Sequence, residues 1–409
     1  MFRVLGSDDF PPFGKFRMEF PPVENKPADL AEVHLLTGVN GTGKTRLLAL
    51  LAAFLGQPAP LVKRLQGLDS VISACADRDP DGPPALVLRI SAGIFQPSEG
   101  DPAFAYWVGS VPAFAYDASA YILDTAVSVM AGLPKPAREG CLSFSRSTDH
   151  SAPLLQAIAS LKMQAVLDAD ADARGARPAE IVRQLEDTLG RITGSRFRFR
   201  LHTYPQQALR VEWANVEMAF EALPDGLRSI IGWMVDAVVM VDAWLKGKGL
   251  LADTEAVFLL DEVESHLHPA WQRRVLPAFQ RLFPKAQIFV ATHSPFVISS
   301  LDHGWIHPLS LEKDGTVKLL QPVAAKGGQS YISAIEDIMG LKEWYGPETE
   351  ELLGKFRAER DRAYHGDAEA REKAVRLAQE LSGRSMELGY MMGQELSQME
   401  RQLANARAK

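Results

Sequence analysis

Three short, largely apolar runs along the chain each stop at polar residues. They are Val33–Leu36, Val257–Leu260 and Gln287–Ala291. Apolar runs of this length, without polar alternation, are typical of strands that are buried on both faces, as in parallel sheets. Because open α/β sheets bind ligands beyond the carboxyl ends of their strands, the residues that follow these runs are candidates for a functional site.

The remaining pattern divides the chain into a core and two helical parts. Residues 1–56 and 195–325 are predicted to form the two halves of one α/β core. Residues 57–194 are predicted to be a mainly helical insertion, and residues 326–409 a charged, helical C-terminal region. The helical stretches of the insertion are expected near Tyr121–Met130, Pro153–Leu167 and Pro178–Ile192.

Two local patterns occur in the second half of the core. Arg196, Arg198 and Arg200 alternate with phenylalanines, which predicts a strand with one arginine face. That face is either a candidate contact for DNA phosphates or a solvated strand face. Further on, Asp314 and Gly315 predict the turn of a β-hairpin.

The composition is that of a globular protein, with 46% apolar and 23% charged residues. No apolar run approaches the length of a membrane span, and the first residues do not resemble a signal peptide, so we expect a cytoplasmic protein without a membrane partner. A net charge of −7 argues against broad, charge-driven binding of nucleic acid. Cys75 and Cys141 fit no metal-ligand spacing and are interpreted as ordinary thiols.

A phosphate-binding loop follows the first apolar run. The stretch GVNGTGKT fits the pattern G-x-x-x-x-G-K-[ST] between a strand and a helix, which a plain glycine-rich turn does not explain. Glycines let the backbone curl so that its N–H groups point at phosphate oxygens. Lys44 would neutralise the β and γ phosphates, and the Thr45 hydroxyl would bind Mg²⁺, so ATP and Mg²⁺ are the expected ligands. The candidate nucleotide-binding residues here are Gly38, Asn40, Gly41, Thr42, Gly43, Lys44 and Thr45.

Two adjacent carboxylates follow the second run. In proteins with such a loop, a second strand ends in an aspartate that holds the magnesium, and this role is assigned to Asp261. Glu262, one residue further, is the candidate general base for the attacking water. The alternative for Glu262 is a solvent-facing charge that caps a helix.

A histidine follows the third run. His293 lies in a polar turn between a predicted strand and a helix. At a parallel-strand tip, a histidine can donate a hydrogen bond to a γ-phosphate and so sense its presence. Alone, the turn would be an ordinary helix cap, but beside Lys44 and Asp261 it is a candidate catalytic sensor.

Together, GVNGTGKT, FLLDEVESHLHP and ATHSPFVISS resemble the ATP-binding core of the ABC-type ATPases, the class that includes SMC-like and RecF-like proteins. With LPDGLRSIIGWMVDA, they resemble more closely the bacterial AAA-type ATPases of OLD-family proteins and of Septu-like or retron-linked phage-defence systems. The resemblance covers roughly residues 1–56 and 195–310. It implies an α/β P-loop NTPase fold of the ABC type.

The resemblance also implies a nucleotide held between two subunits, each presenting a signature segment to the other. The matching segment here is Leu223–Ser229, in which Gly226 would let the backbone approach a γ-phosphate. Pro224 stands where the ABC signature has a serine, so Ser229 or Arg228 would have to compensate. The alternative is a plain turn at the start of a helix.

A second departure follows the glutamate, where His268 stands in place of the aspartate of transporter ATPases. His266 and His268 are interpreted as a subunit contact rather than as a metal pair.

The resemblance implies an ATPase that forms a homodimer or higher oligomer on ATP. It would drive or gate a separately encoded, nuclease-like effector in anti-phage defence. One alternative is an SMC-like or RecF-like DNA clamp in repair, with DNA as a partner. The other is an OLD-like nuclease, which needs a further acidic cluster that the short, helical tail does not supply.

Overall fold

The structure is a computed structural model. It describes residues 1–56, 72–77, 86–91, 94–100, 111–117, 151–167 and 176–407, with isolated positions between 101 and 110 and without 203, 205–207, 247, 248 and 342. The chain divides into two compact units, Met1–Met339 and Gly340–Lys409. The predicted helix near Tyr121–Met130 lies outside the described residues.

The strands carry most of the architecture of the first unit. In chain order they are β1 (Val4–Phe10), β2 (Gly14–Glu19), β3 (Glu32–Thr37), β4 (Ile72–Asp77), β5 (Leu86–Ser91), β6 (Ile94–Gly100), β7 (Ala113–Asp117), β8 (Phe197–His202), β9 (Ala208–Trp213), β10 (Val216–Ala219), β11 (Val257–Asp261), β12 (Gln287–Thr292), β13 (Trp305–Leu311), β14 (Val317–Leu319) and β15 (Val323–Ala324). The α-helices of four or more residues in the described part of the chain are α1 (Lys44–Phe54), α2 (Ser151–Leu167), α3 (Ala176–Thr193), α4 (Asp225–Trp244), α5 (Pro269–Leu282), α6 (Pro295–Ile298), α7 (Pro347–Tyr364), α8 (Ala368–Ser382) and α9 (Met386–Arg407).

A seven-stranded sheet forms the centre of the first unit, with the order β14-β13-β3-β12-β11-β7 and β15 beside β13. Strands β13, β3, β12, β11 and β7 are all parallel to their neighbours in this row. The three apolar runs are therefore adjacent strands, and every residue of β3, β11 and β12 is buried. Because they are parallel, they end at the same edge of the sheet.

Alternate residues of these strands face two different hydrophobic clusters. On β11, Phe258 and Leu260 belong to the cluster that includes α4 and α5, whereas Val257 and Leu259 belong to the cluster that includes α1. Since side chains alternate along a strand, Asp261 continues the face of Val257 and Leu259. The strand therefore directs this carboxylate to the side of the sheet that carries the P-loop helix.

A buried polar network joins the starts of these strands. His34 on β3 is fully buried, and its two ring nitrogens lie 2.9 Å from Glu32 Oε1 and 3.2 Å from His307 Nε2 on β13. Arg3 Nη1 donates to Glu32 Oε1 over 2.6 Å, and Gln287 Nε2 donates to the same oxygen over 2.9 Å. Buried polar groups are stable only with such partners.

The first half of residues 57–194 differs from the mainly helical insertion that the sequence predicts. Strands β4, β5 and β6 continue an antiparallel sheet with the order β2-β1-β4-β5-β6, and β7 joins the central sheet. Helices α2 and α3 confirm the two helical stretches predicted in the second half of the insertion.

The two local predictions in the second half of the core are confirmed. Strands β8, β9 and β10 form a three-stranded antiparallel sheet. Phe197 and Phe199 on β8 are each 1% exposed, so the alternating arginines face away from the core. Strands β13 and β14 pair antiparallel across the turn that holds Asp314 and Gly315.

The second unit, Gly340–Lys409, consists of α7, α8 and α9 and begins later than the helical C-terminal region that the sequence predicts from residue 326. It has its own hydrophobic cluster, in which Leu353, Phe356, Leu381 and Met392 are each at most 2% exposed. None of the helices in the described residues is long and apolar enough to cross a membrane.

Candidate functional site

A polar cavity of about 520 Å³ opens at the sheet edge where β3, β11 and β12 end. It brings together residues from the three turns that the sequence singled out, although these turns are far apart in the chain. The residues that line it are Pro12, Asn40, Gly41, Gly43, Lys44, Thr45, Arg46, Asp261, Glu262 and His293. Gly38 and Thr42 lie in the same loop, and both contact Lys44 rather than line the cavity.

The phosphate-binding loop has the backbone that its glycines permit. Gly43 has a φ of 79°, and a Cβ there would lie 2.9 Å from the ring of Phe13, so only glycine fits. Helix α1 begins at the next residue and has no side-chain cap, which leaves its first N–H groups available to an anion.

Lys44 points back into the loop. Its Nζ donates to the carbonyl oxygens of Gly38 at 2.8 Å and Val39 at 3.1 Å. Burial lowers the pKa of Lys44 to about 8, although the carboxylates of Asp261 and Glu262 act in the opposite direction. A group that carries an opposite charge, such as a phosphate, would favour the protonated form of this amine.

The turn after β11 fixes the acidic pair. Asp261 is 5% exposed, and Glu262 adopts a left-handed φ of 49°. The Glu262 N–H donates to the carbonyl oxygen of Ala291 on β12 over 3.0 Å, so the backbone of this glutamate is tied to the neighbouring strand. The left-handed conformation turns the chain away from the strand direction, and Glu262 therefore points differently from Asp261 while both border the cavity.

His293 follows β12 and faces Lys44. Its Nδ1 lies 3.4 Å from Lys44 Nζ across the cavity. Burial lowers the pKa of His293, and the charge of Lys44 lowers it further. A largely neutral imidazole can keep a ring N–H to donate to an incoming oxygen.

Glu264 is a site residue that the sequence analysis missed. Its Oε1 accepts hydrogen bonds from the Thr292 hydroxyl and, over 2.7 Å, from the backbone N–H of His293. Burial raises the pKa of Glu264, and its Oε2 is buried without a hydrogen-bond partner among the described residues. A third acid two residues after Glu262 was the only sequence signal for this role.

Three more residues near the cavity carry no motif. Gln272 on α5 donates to the Leu267 carbonyl oxygen over 3.0 Å and accepts from the Ser294 hydroxyl over 2.6 Å. Pro12 and Arg46 line the cavity wall, and Arg46 Nη1 donates to the neighbouring Pro11 carbonyl over 2.8 Å. Only the fold brings Gln272 and Pro12 to the site, whereas Arg46 directly follows Thr45 of the phosphate-binding loop.

The predicted signature segment lies apart from this cavity. Gly226 is at the start of α4, where a Cβ would overlap the carbonyl oxygen of His266. Ser229 is only 3% exposed, whereas Pro224 and Asp225 are exposed and Arg228 is partly exposed. A contact with a second subunit through this segment stays a prediction, and its outward-facing side chains are those of Asp225 and Arg228 rather than Ser229.

The two histidines after the acidic pair have different surroundings. His268 caps α5, because its Nδ1 accepts from the backbone N–H of Ala270 over 3.2 Å. His266 is exposed and has a φ of 63°. Among the described residues, no group of three or more His, Cys, Asp or Glu side chains could hold a metal ion. The subunit-contact role of His268 stays a prediction.

The arginine face of β8 is paired with acids on the same surface. Arg198 Nε lies 3.4 Å from Glu186, Arg196 Nε lies 3.8 Å from Glu212, and Arg200 is bonded to Glu212 as well. This pairing favours the solvated strand face over a contact for DNA phosphates, because the charge is largely compensated locally.

The order of the strands defines the class of protein. The P-loop strand β3 and the Asp261 strand β11 lie on either side of β12, and His293 directly follows β12. With the helices α4 and α5 on the opposite face from α1, this is the α/β fold of a P-loop NTPase.

Comparisons with known sequences agree with this class. Residues 241–299 match the family described as "AAA domain, putative AbiEii toxin, Type IV TA system". The chain is 30% identical to the Septu protein PtuA of Bacillus thuringiensis over 151 residues, which are 36% of this chain and 38% of that protein. It is also 30% identical to the Retron Ec83 probable ATPase of Escherichia coli over 94 residues, which are 23% of this chain and 17% of that protein.

The chain is thus similar over part of its length to these proteins, and the matches span well under half the length of these curated relatives. Among solved structures, it is similar to an Smc head bound to the C-terminal winged-helix domain of ScpA. That similarity has a TM-score of 0.46 at 14% identity and covers 79% of this chain and 97% of that one.

Proposed function

We propose that the chain binds ATP with Mg²⁺ and hydrolyses it to ADP and phosphate. The observation that supports this most is the single cavity that holds Lys44, Thr45, Asp261, Glu262 and His293 together. These side chains come from three strand ends, and their types supply a cation, oxygen ligands, a base and a hydrogen-bond donor. Phosphoryl transfer to water uses all of these groups.

The residues have separate roles in this proposal. The loop Gly38–Thr45 binds the phosphates through its backbone N–H groups, and Lys44 moves its amine from the loop carbonyls to the β and γ phosphates. Glu262 accepts a proton from the attacking water, which makes the water a better nucleophile. His293 donates a hydrogen bond to the γ-phosphate, where negative charge must be stabilised.

The cavity also suits a magnesium ion. The Thr45 hydroxyl and the Asp261 carboxylate both border it, and oxygen donors of this kind are the ligands that Mg²⁺ prefers. A Mg²⁺ ion held by Thr45 and Asp261 would help to neutralise the negative charge of the phosphates. Asp261 is the last residue of a strand that is buried on both faces, so the backbone that carries its carboxylate is fixed by the sheet.

We further propose that two copies of the chain close on ATP, with Gly226 and the start of α4 of each copy facing the nucleotide of the other. The proposal also includes a separately encoded, nuclease-like effector, which the closed form would drive or gate in anti-phage defence. Similarity to Septu PtuA and to a retron ATPase supports the defence setting. Because the β8 arginines are paired with acids, DNA is not included as a partner.

Two substitutions test the proposal. Lys44→Ala is expected to abolish ATP binding, because it removes the cation that faces the phosphates. Glu262→Gln is expected to retain binding but lower kcat by about 10²- to 10⁴-fold, the usual contribution of a general base. Equilibrium binding with a fluorescent ATP analogue, phosphate release and light scattering would be measured, and Glu262→Gln with ATP and Mg²⁺ should accumulate as a dimer.

Lys313→Ala and Glu255→Gln are matched controls, since both residues are exposed and neither lines the cavity. Wild-type protein that does not bind ATP with Mg²⁺ would contradict the whole proposal. Hydrolysis by Glu262→Gln at the wild-type rate would contradict only its role as the base. If the rate of ATP hydrolysis per chain stayed constant when the protein is diluted to monomers, this result would contradict the proposed role of the dimer. A pull-down with products of the neighbouring genes, with and without an ATP analogue, tests the effector.

A further inference from the structure

A short turn connects the acidic pair to α5, and it is fastened to the residues around His293 from two directions. We call it the 263–268 turn, after its residues. It begins directly after Glu262, and hydrogen bonds from Ser265 N to the Glu262 carbonyl and from Leu267 N to the Glu264 carbonyl give it a fixed shape. The turn can therefore hold the residues around His293 in a fixed position.

Glu264 makes the first connection, from the turn to the backbone around His293. Its Oε1 accepts from His293 N and from the Thr292 hydroxyl, and the Thr292 oxygen in turn accepts from Ser294 N over 3.0 Å. One carboxylate oxygen thus organises three consecutive residues. The second oxygen of this buried carboxyl group has no hydrogen-bond partner among the described residues, which lowers the stability of the fold. A purely structural contact would not require this cost.

Gln272 makes the second connection, from α5. Its amide nitrogen donates to the Leu267 carbonyl at 3.0 Å and to the Glu264 carbonyl at 3.3 Å, and its amide oxygen accepts from Ser294 Oγ at 2.6 Å. The same Ser294 oxygen caps α6 by accepting from Phe296 N at 3.1 Å. The glutamine therefore ties the turn to the residue that follows His293.

The turn is held on its other side by α4. Gly226 lies so close to the His266 carbonyl that no side chain fits between them. Leu267 is 6% exposed and belongs to the same hydrophobic cluster as α4. The turn therefore cannot move away from α4 without opening a cavity, and the two connections anchor His293 to a rigid neighbour.

We propose that Glu264 and Gln272 are positioning residues that hold His293 at the cavity through the backbone of Thr292–Ser294. The proposal rests on the proposed ATPase function. Neither residue lines the cavity, so neither needs to touch the nucleotide. A displacement of about 1 Å in a catalytic group can lower a rate on the order of 100-fold, so loss of either connection should reduce kcat while leaving nucleotide affinity intact.

The test compares Glu264→Ala, Glu264→Gln and Gln272→Ala in the full chain. For each variant, kcat for ATP hydrolysis and the Kd for a fluorescent ATP analogue are measured. We expect Glu264→Ala and Gln272→Ala to lower kcat by about 10- to 100-fold with Kd changed by less than about threefold. Glu264→Gln keeps an oxygen that can accept from His293 N and Thr292 Oγ1, so its kcat should stay within about threefold of the wild type.

Glu255→Ala and Arg273→Ala serve as matched controls, because both residues are exposed and Arg273 is adjacent to Gln272 on α5. Hydrogen exchange of a peptide that covers 287–299 gives a local readout. The His293 amide should exchange faster in Glu264→Ala and at the wild-type rate in Glu264→Gln. If Glu264→Ala does not fold, Gln272→Ala and the nearly isosteric Thr292→Val carry the same expectation.

Wild-type kcat in Glu264→Ala or in Gln272→Ala would overturn the proposal, and so would a Glu264→Gln variant as slow as Glu264→Ala. A loss of nucleotide affinity that equals the loss of kcat would also overturn it, because that result indicates general damage to the site. A wild-type chain without ATPase activity would instead contradict the proposed function, so the two failures are distinguishable.

Discussion

The backbone at Gly226 tolerates no side chain, because the His266 carbonyl oxygen occupies the space that a Cβ would need. Gly226→Ala should therefore push α4 and the 263–268 turn apart. We expect a loss of about 1–3 kcal/mol in the free energy of unfolding, the usual cost of overpacking, together with a lower kcat. Urea denaturation and phosphate release measure the two effects.

Gly354→Ala on α7 is the control, since a Cβ there meets no atom within 4 Å. Alanine should be neutral or slightly stabilising at that helical position. A Gly226→Ala protein with wild-type stability and activity would show that the two segments can separate freely.

At the same scale, the sequence predicted the residues whose roles depend on a local motif. Lys44 and Asp261 stand at fixed positions after apolar runs, and the parallel sheet brings those run ends together. Gln272 and Pro12 could not be predicted in this way, because neither belongs to a motif and only tertiary packing places them near the cavity. The burial of Ser229 could not be predicted from the sequence either, since it depends on how α4 packs.

Among the elements, β3 and β13 are joined by a pair of buried histidines with a measurable pH effect. Burial lowers the pKa of His34, and burial together with the neighbouring His34 lowers the pKa of His307 well below 6.5. Below about pH 6.5, the unfolded chain binds protons that the folded chain does not. The free energy of unfolding should therefore be highest above this pH and decrease as the pH falls below it.

Each of the two groups can contribute up to about 1.4 kcal/mol per pH unit to this loss. The free energy of unfolding, measured by urea titration at pH 7.5, 6.5 and 5.5, should decrease across the series. His307→Gln cannot titrate and should show a shallower decrease. The carboxylate of Glu32 and the guanidinium of Arg3 also face His34, so both must be left intact. Equal slopes for variant and wild type would contradict this interpretation.

The elements also show where sequence patterns were insufficient. Strands β3, β11 and β12 were predictable because each is a continuous apolar run. Strands β4, β5 and β6 were not, since β4 pairs with β1, which is far away in the chain, and β5 and β6 extend the same antiparallel sheet from β4. The alternation on β8 was clear because one of its faces packs into the core and the other does not.

On the scale of the whole molecule, Gly340–Lys409 is a separate compact unit with its own hydrophobic cluster. We expect residues 340–409, produced alone, to be helical by circular dichroism and to unfold cooperatively in urea. Leu381→Ala in this fragment should cost about 2–5 kcal/mol, because Leu381 is fully buried. Met386→Ala is the matched control, since Met386 is 95% exposed. A fragment without cooperative unfolding would show that the unit depends on the rest of the chain.

The strand order also affects how the protein is made. On the ribosome, β3 and its phosphate loop emerge long before β12, yet β12 is the strand that lies directly beside β3 in the finished sheet. Until residues 287–292 have been synthesised, neither hydrogen-bonding edge of β3 has its final neighbour, because β13 is synthesised later still. Nascent chains that end before residue 292 therefore expose an apolar strand with unpaired backbone groups, and we expect such chains to bind chaperones.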